Sequence, residues 1–329
     1  MEPYVGYGTG DYSRLICRTV YAPRHAQSGE LIRGIRGMLA IPAPRTHVQA
    51  SIDDMPLNTV QIGVSEVYDK VDRTRDLGSE YAISDSAGYL DLVAEHRLVP
   101  GIHRVSYSVA NRKPVSANLY TIPASAKVGI ISDVDDTIMI TQAPVPWKAA
   151  YNLLFLDPKK KASVPGMSVL FTRIADLFPG APFFYLSTSP WNVESSIRNF
   201  ITDHGFPEGP LLLRDLDPRP KTFVPTGPQH KLEFAEQLMA DFPDMKFILV
   251  GDDGQKDPTT YATIARRYPG RVLAIVIREL SPRESTGLAS VTGLTSTQPT
   301  PVTDVPVFTG TTGSNILKTM LPYLKTVLR

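Results

Sequence analysis

Three carboxylates and a threonine follow a short apolar run in Val128-Gly-Ile-Ile-Ser-Asp-Val-Asp-Asp-Thr137. The run reads as a buried strand, so Asp133, Asp135, Asp136 and Thr137 stand where it ends. In an open parallel sheet, ligands bind beyond the carboxyl ends of the strands. The arrangement recurs in Phe247-Ile-Leu-Val-Gly-Asp-Asp-Gly-Gln-Lys-Asp257, where Asp252 and Asp253 follow a second apolar run. If those two strands are neighbours, the acids share one place. Gathered carboxylates repel one another unless a cation is bound, and oxygen donors at adjacent strand ends suit Mg2+. The plainer reading of the first cluster is an acidic turn capping a helix, but a cap needs one acid rather than three. Asp257, just before Pro258, fits a metal site and a helix N-cap equally well.

Two further places carry groups that an anion would use. Leu186-Ser-Thr-Ser-Pro190 sets Ser187, Thr188 and Ser189 between a strand end and a helix start, with Ser189 as N-cap and Pro190 at the first helical position. Hydroxyls and backbone N–H groups there bind anions, though many helices begin with Ser-Pro. Lys231 opens a later helix behind His230. Most lysines are solvated; the position of this one, between two strand runs, sets it among the phosphate-binding candidates.

These side chains need a framework. Val128–Ser132, Phe183–Leu186, Leu211–Leu213, Phe247–Val250 and Val272–Ile277 read as strands. Helical spacing runs through Met167–Phe178, through Val193, Ile197, Phe200 and Ile201 up to Gly205, and through Leu232–Phe242; a further helix starts at Asp257. Strands alternating with helices predict a doubly wound parallel sheet. Residues 1–125 behave differently. Val105, Tyr107 and Val109 alternate on one face, Val48–Ile52 and Val60–Val67 read alike, and turn residues separate them, which predicts an all-β sandwich-like domain. Its acids and histidines are dispersed, so it is expected to supply no catalytic group. The second domain spans 126–329 and carries an insert over about 139–166. Beyond Ser281 comes a Ser/Thr/Pro-rich segment, then a short strand at Val305–Phe308. Last is an amphipathic stretch from Ile316 to Leu328, interrupted by Pro322, that docks on the body.

Composition narrows the function classes. The chain has 329 residues, enough for about two domains. Thirty-four Lys and Arg stand against thirty-three Asp and Glu, a balance that argues against a dedicated nucleic-acid binder. A single cysteine, Cys17, excludes an intramolecular disulfide framework and a cysteine zinc cluster. The N-terminal residues lack a basic region followed by an apolar run, and no apolar stretch approaches the roughly 20 residues of a spanning helix. The expectation is a cytoplasmic protein without a transmembrane segment.

In this order, Asp-x-Asp-x-Thr, a strand-end Ser, a Lys and Gly-Asp-x-x-x-x-Asp resemble the haloacid-dehalogenase-like phosphatase superfamily. Ser132–Ile138, Leu186–Trp191, Leu213-Arg214, His230-Lys231 and Phe247–Pro258 are similar to the actin-patch-associated phosphatidate phosphatase family, whose bacterial members also carry segments like Gly6-Tyr-Gly8 and Asp85-Ser-Ala-Gly-Tyr89. One departure is Asp253, where that family usually has Ser. The resemblance implies that Asp133 is the nucleophile and Asp135 the general acid, then base. It implies that Asp133, the Asp135 carbonyl and Asp252 hold Mg2+, and that Ser187 and Lys231 bind phosphate oxygens; Thr137 and Thr188 join the substrate site, and Asp253 and Asp257 the metal candidates. The implied reaction is Mg2+-dependent hydrolysis of phosphatidate to diacylglycerol and phosphate through an aspartyl-phosphate.

The insert bears on the substrate. Trp147, Tyr151, Leu153, Leu154 and Phe155 accompany Lys159, Lys160 and Lys161, with Arg214 at the end of another strand. Apolar residues beside cations suit an anionic phospholipid surface, to which the protein would attach peripherally; a small helix with a solvated lysine corner accounts for the run equally well. The other functional readings are a phosphatase for a soluble or protein phosphomonoester and a catalytically silent anionic-lipid-binding module. Protein partners, oligomeric state and acyl preference are not encoded in any of these patterns.

Overall fold

The computed structural model describes residues 1–21, 41–61, 81–140, 162–214, 227–254, 256–281 and 303–327. The described residues fall into two compact units. The first comprises Met1–Ala126 together with Gln237–Pro243, and the second holds the remainder from Lys127 onward.

The first unit is antiparallel-rich. Its strands are β1 (Glu2–Pro3), β2 (Gly6–Gly8), β3 (Tyr12–Arg18), β4 (His47–Ile52), β5 (Met55–Pro56), β6 (Thr59–Gln61), β7 (Ala82–Ile83), β8 (Tyr89–Glu95), β9 (Gly101–Ser108) and β10 (Val115–Thr121). The expected sandwich of two sheets is replaced by one hydrogen-bonded order, β5-β4-β9-β10-β2-β3-β8-β6, with β1 on β3 and β7 on β4. The parallel pairing of β2 with β10 joins what would otherwise be separate sheets. Alternation determines which face of a strand is buried and leaves its pairing partner open. The sheet curls about one core. Leu15 and Cys17, Val48 and Ile52, Leu90 and Leu92, Val105 and Tyr107, and Leu119 belong to a single cluster, with Val109 packed against it. The unit also buries a polar group. The Asp241 carboxylate accepts from Arg14 Nε at 2.8 Å and Nη2 at 3.1 Å, from Tyr12 at 2.8 Å and from Tyr7 at 3.0 Å. The strand read over Val60–Val67 is described only as far as Gln61.

The second unit is built on a sheet of six strands: β11 (Val128–Asp133), β14 (Phe183–Pro190), β15 (Leu211–Arg214), β16 (Lys246–Asp252), β17 (Val272–Arg278) and β18 (Val307–Gly310). Every pairing is parallel, in the order β15-β14-β11-β16-β17-β18. Strands buried on both faces read as continuous apolar runs, which is why Val128–Ser132 and Val272–Ile277 are legible without alternation. Successive strands move outward from β11 to β15, and β16 then starts on the other side of β11. That reversal is where α/β sheets bind ligands.

The helices are α1 (Met167–Leu177), α2 (Glu194–Asp203), α3 (Gly227–Asp241), α4 (Asp257–Arg267) and α5 (Gly313–Val327). Two helix starts differ from the sequence reading. β14 runs on through Pro190, a 3-10 turn covers Trp191–Val193, and α2 begins only at Glu194, so Ser189 is no N-cap. Asp257 is the first residue of α4, preceded by Lys256 as N-cap. The C-terminal stretch is one helix, continuous through Pro322, whose exposed position leaves the missing N–H on the solvent side. It packs on α1 and β18 through Ile316, Met320 and Leu324. At its start, a Cβ on Gly313 would stand 2.1 Å from the Gly166 carbonyl oxygen, so only glycine permits this approach. The insert opens and closes in a two-stranded ribbon, β12 (Met139–Ile140) with β13 (Ala162–Ser163). Lys159, Lys160 and Lys161, with the aromatic residues before them, lie outside the described residues.

Candidate active site

β11 and β16 are neighbours with Ser132 opposite Val250, so the residues just beyond them converge. Oxygens of Asp133, Asp252 and Asp257 lie within 4.8 Å of one another, and all three side chains are buried. Lys231 Nζ stands 2.7 Å from Asp133 Oδ1 and 2.5 Å from Asp257 Oδ1, with the lysine 2% exposed. α3 places the lysine, and the first turn of α4 places Asp257. Asp257 Oδ2 accepts the Asp252 N–H at 3.3 Å, and Gly254 N–H donates to Asp252 Oδ1 at 2.8 Å. A Cβ on Gly251 would fall 2.4 Å from Asp257 Oδ2, which explains why glycine precedes Asp252.

Electrostatics follow from burial. Burial pushes the Asp133 carboxyl up, Lys231 opposes this, and Asp257 and Asp135 add to it. Asp252 is raised strongly, first by burial and then by Asp257 and Asp133. Burial works against a charge on Lys231, yet Asp133, Asp257 and Asp252 together lift it above its ordinary value. Three buried carboxylates beside one ammonium leave an excess of negative charge when ionised. The donor set is all oxygen, so the residues fit a divalent hard cation.

Asp135 is half-buried beside this group. Its Oδ2 accepts from Ser187 Oγ at 2.8 Å and Ser189 Oγ at 3.4 Å, both at the end of β14. Burial raises its carboxyl, and the Ser187 hydrogen bond opposes the rise. Ser187 Oγ also accepts the Ser189 N–H at 3.0 Å. In this structure Ser187 therefore orients Asp135. Thr137 Oγ1 donates to Asp133 Oδ2 at 2.9 Å, which leaves Asp133 held at both oxygens.

The other proposed residues stand apart from this group. Asp253 Oδ1 accepts the Leu280 N–H at 2.8 Å, and burial is the main cause of its raised carboxyl. Its carboxylate serves the turn after β16; it is not among the grouped oxygens, because consecutive side chains at a strand end point to opposite sides. Thr188 is half-buried, with its hydroxylic neighbours taking the contacts to Asp135. Arg214 closes β15, and its side chain lies outside the described residues. Ser189, which the sequence marks as a helix cap among the anion-binding hydroxyls, turns to Asp135 instead. One contributor escapes the sequence reading: Arg278 ends an apolar run with no spacing signal, and its Nη1 donates to the Asp136 carbonyl at 2.8 Å.

Fold and site together define an α/β protein with a carboxylate-and-lysine centre at the ends of central parallel strands. Residues 128–279, from β11 to just past β17, match the family described as "Phosphatidate phosphatase APP1, catalytic domain". Phosphatidate phosphatase APP1 of Saccharomyces cerevisiae is 29% identical over 211 residues, 62% of this chain and 35% of that protein. An uncharacterized protein of Schizosaccharomyces pombe is 26% identical over 176 residues, 53% of this chain and 29% of the other. The matched stretches thus span about a third of these relatives' length. Among solved structures, a Photobacterium 2,6-sialyltransferase aligns at TM-score 0.25 and 7% identity, covering 98% of this chain and 57% of that one. The structure of PhoD aligns at 0.27 and 9%, covering 82% and 69%. Both scores lie below the level of a shared fold.

Proposed function

We propose that the chain is a Mg2+-dependent phosphatase of the haloacid-dehalogenase-like type whose substrate is phosphatidate. The observation that supports it most is the buried group of Asp133, Asp252, Asp257 and Lys231, with Asp135 alongside. The family supplies the substrate class; the residues supply the chemistry. Asp133 and Asp252, with Asp257, would hold the ion. A bound Mg2+ supplies positive charge against the phosphoryl oxygens.

The protein's own groups do the rest. One Asp133 carboxylate oxygen forms a bond to phosphorus as the bond from phosphorus to the lipid oxygen breaks, giving an aspartyl-phosphate. The departing diacylglycerol oxygen takes a proton from Asp135, whose raised carboxyl is suited to holding one. Asp135 then removes a proton from water as the water oxygen attacks phosphorus and Asp133 leaves. Lys231 balances the charge of Asp133 and faces the phosphoryl oxygens throughout. Among the described residues no helix is long and apolar enough to cross a membrane. The reading brings the chain to a lipid surface peripherally from the cytoplasm, with Lys159, Lys160 and Lys161 as cations for anionic headgroups.

The test is phosphate release from phosphatidate in mixed micelles. Asp133→Asn, which keeps the shape and loses the nucleophile, is expected to reduce turnover by at least about a thousandfold, roughly 4 kcal/mol of barrier. Chelation should abolish wild-type activity, and Mg2+ should restore it. Activity of the variant within tenfold of wild type would remove the covalent mechanism. Turnover confined to soluble phosphomonoesters would replace the lipid substrate.

A further inference from the structure

Arg278 closes β17 and is 3% exposed. A guanidinium removed from water needs good acceptors. One of them is the Asp136 carbonyl, 2.8 Å from Nη1. In the sheet order β16 lies between β17 and β11, and Arg278 is in register with Asp252. The side chain therefore reaches across the end of β16 to the turn that leaves β11.

That turn is tightly built. Asp136 has φ 55°, in the left-handed region that few side chains adopt. Its N–H donates to the Met139 carbonyl at 2.8 Å, and the Val134 carbonyl accepts from Ile138 and Met139, each at 3.1 Å. Asp135 sits inside it. From the β14 side Ser187 holds the Asp135 carboxylate; from the β17 side Arg278 holds the peptide one residue on. The Arg278 backbone has a separate task, since its carbonyl accepts the Asp253 N–H at 3.0 Å. Replacing the side chain keeps that bond.

We propose that Arg278 is a positioning residue for proton transfer: its charge-assisted hydrogen bond to the Asp136 carbonyl keeps the turn in the conformation that aims Asp135 at the leaving oxygen. This rests on the function proposed above. It assigns Arg278 no contact with phosphate. Misaiming an acid is felt most when the leaving group needs a proton, as an alkoxide does, and least when it departs as a stable phenolate.

The experiment uses full-length Arg278→Met and Arg278→Lys against wild type, with a soluble short-chain phosphatidate and p-nitrophenyl phosphate. Arg278→Met is expected to lower kcat/KM, which reports phosphoryl transfer and not the later hydrolysis in which Asp135 serves as base, about 30-fold on the alkyl ester and no more than about threefold on the aryl ester. Arg278→Lys, which retains a charge-assisted donor, should recover part of the alkyl-ester rate. Equal losses of kcat/KM on both esters, or an unchanged kcat/KM on the alkyl ester, would overturn the proposal. Hydrogen exchange gives a readout independent of turnover. The amides of Asp136, Ile138 and Met139 should exchange faster in Arg278→Met at an unchanged thermal midpoint; unchanged exchange overturns the clamp. Should wild type hydrolyse neither ester, the phosphatase reading fails, and exchange alone decides whether Arg278 holds the turn.

Discussion

Asp252 shows most plainly how the site opposes the fold. A carboxyl whose value is raised on folding holds its proton more tightly in the native state than in the unfolded chain. The native protein therefore loses stability as pH rises from the ordinary carboxylate range toward the raised value, by about 1.4 kcal/mol for each unit between the two. Asp252 is raised by burial and by its neighbours Asp257 and Asp133. Asp252→Asn keeps an acceptor for the Gly254 N–H and removes the charge. In chelator, the variant is expected to melt above wild type at pH 7, with the difference shrinking toward pH 4. Mg2+ should raise the wild-type midpoint and leave the variant nearly unmoved, because ligands that bind only the native state stabilise it. Thermal melts at several pH values, with and without Mg2+, read all of this. A variant that melts below wild type at every pH would mean that the acids are not a source of repulsion.

At the scale of elements, function depends on where strands end. β11, β14, β16 and β17 each deliver a residue at the carboxyl edge: Asp133, Ser187, Asp252 and Arg278. The chain can keep them in place only if the sheet is covered, and α5 is part of the cover. Met320 on α5 is fully buried, whereas Lys318 two residues earlier is exposed. Met320→Ala is expected to cost about 2–5 kcal/mol, and Lys318→Ala to stay within about 0.5 kcal/mol. Urea unfolding of the two variants is the check. Similar midpoints would show that α5 contributes little to the second unit.

At the scale of the molecule, the division of the chain is not a single cut. Gln237–Pro243 belongs with Met1–Ala126, and within that unit Asp241 is the acceptor for Arg14, Tyr7 and Tyr12. Removing one member of a buried ion pair leaves the other uncompensated. Arg14→Met in the full chain is expected to cost about 3–5 kcal/mol, and replacing both partners by apolar residues much less. Equilibrium denaturation of the single and double variants tests this. A single variant as stable as the double would show that the pair is dispensable. Cutting after Ala126 would divide the same unit, so expression of residues 127–329 alone is a poor way to isolate the catalytic part.

Much of this was legible in the residues themselves. An apolar run followed at once by Asp133, Val134 and Asp135 locates a strand end whichever strand lies beside it, and the same holds for Asp252. Long-range pairing is different, because it depends on which runs meet in space. Only the tertiary structure sets β11 against β16, so that Asp133, Asp252 and Asp257 meet, and turns Asp253 away to the Leu280 N–H. Only it carries β14 past Ser189, converting an apparent helix cap into a partner of Asp135. The join of β2 to β10 has the same origin: alternation tells a strand which face to bury, and pairing across more than a hundred residues is decided by the core that the curled sheet encloses. Arg278 carried no local signal, since a basic residue after an apolar run is ordinary until the turn it holds folds against it.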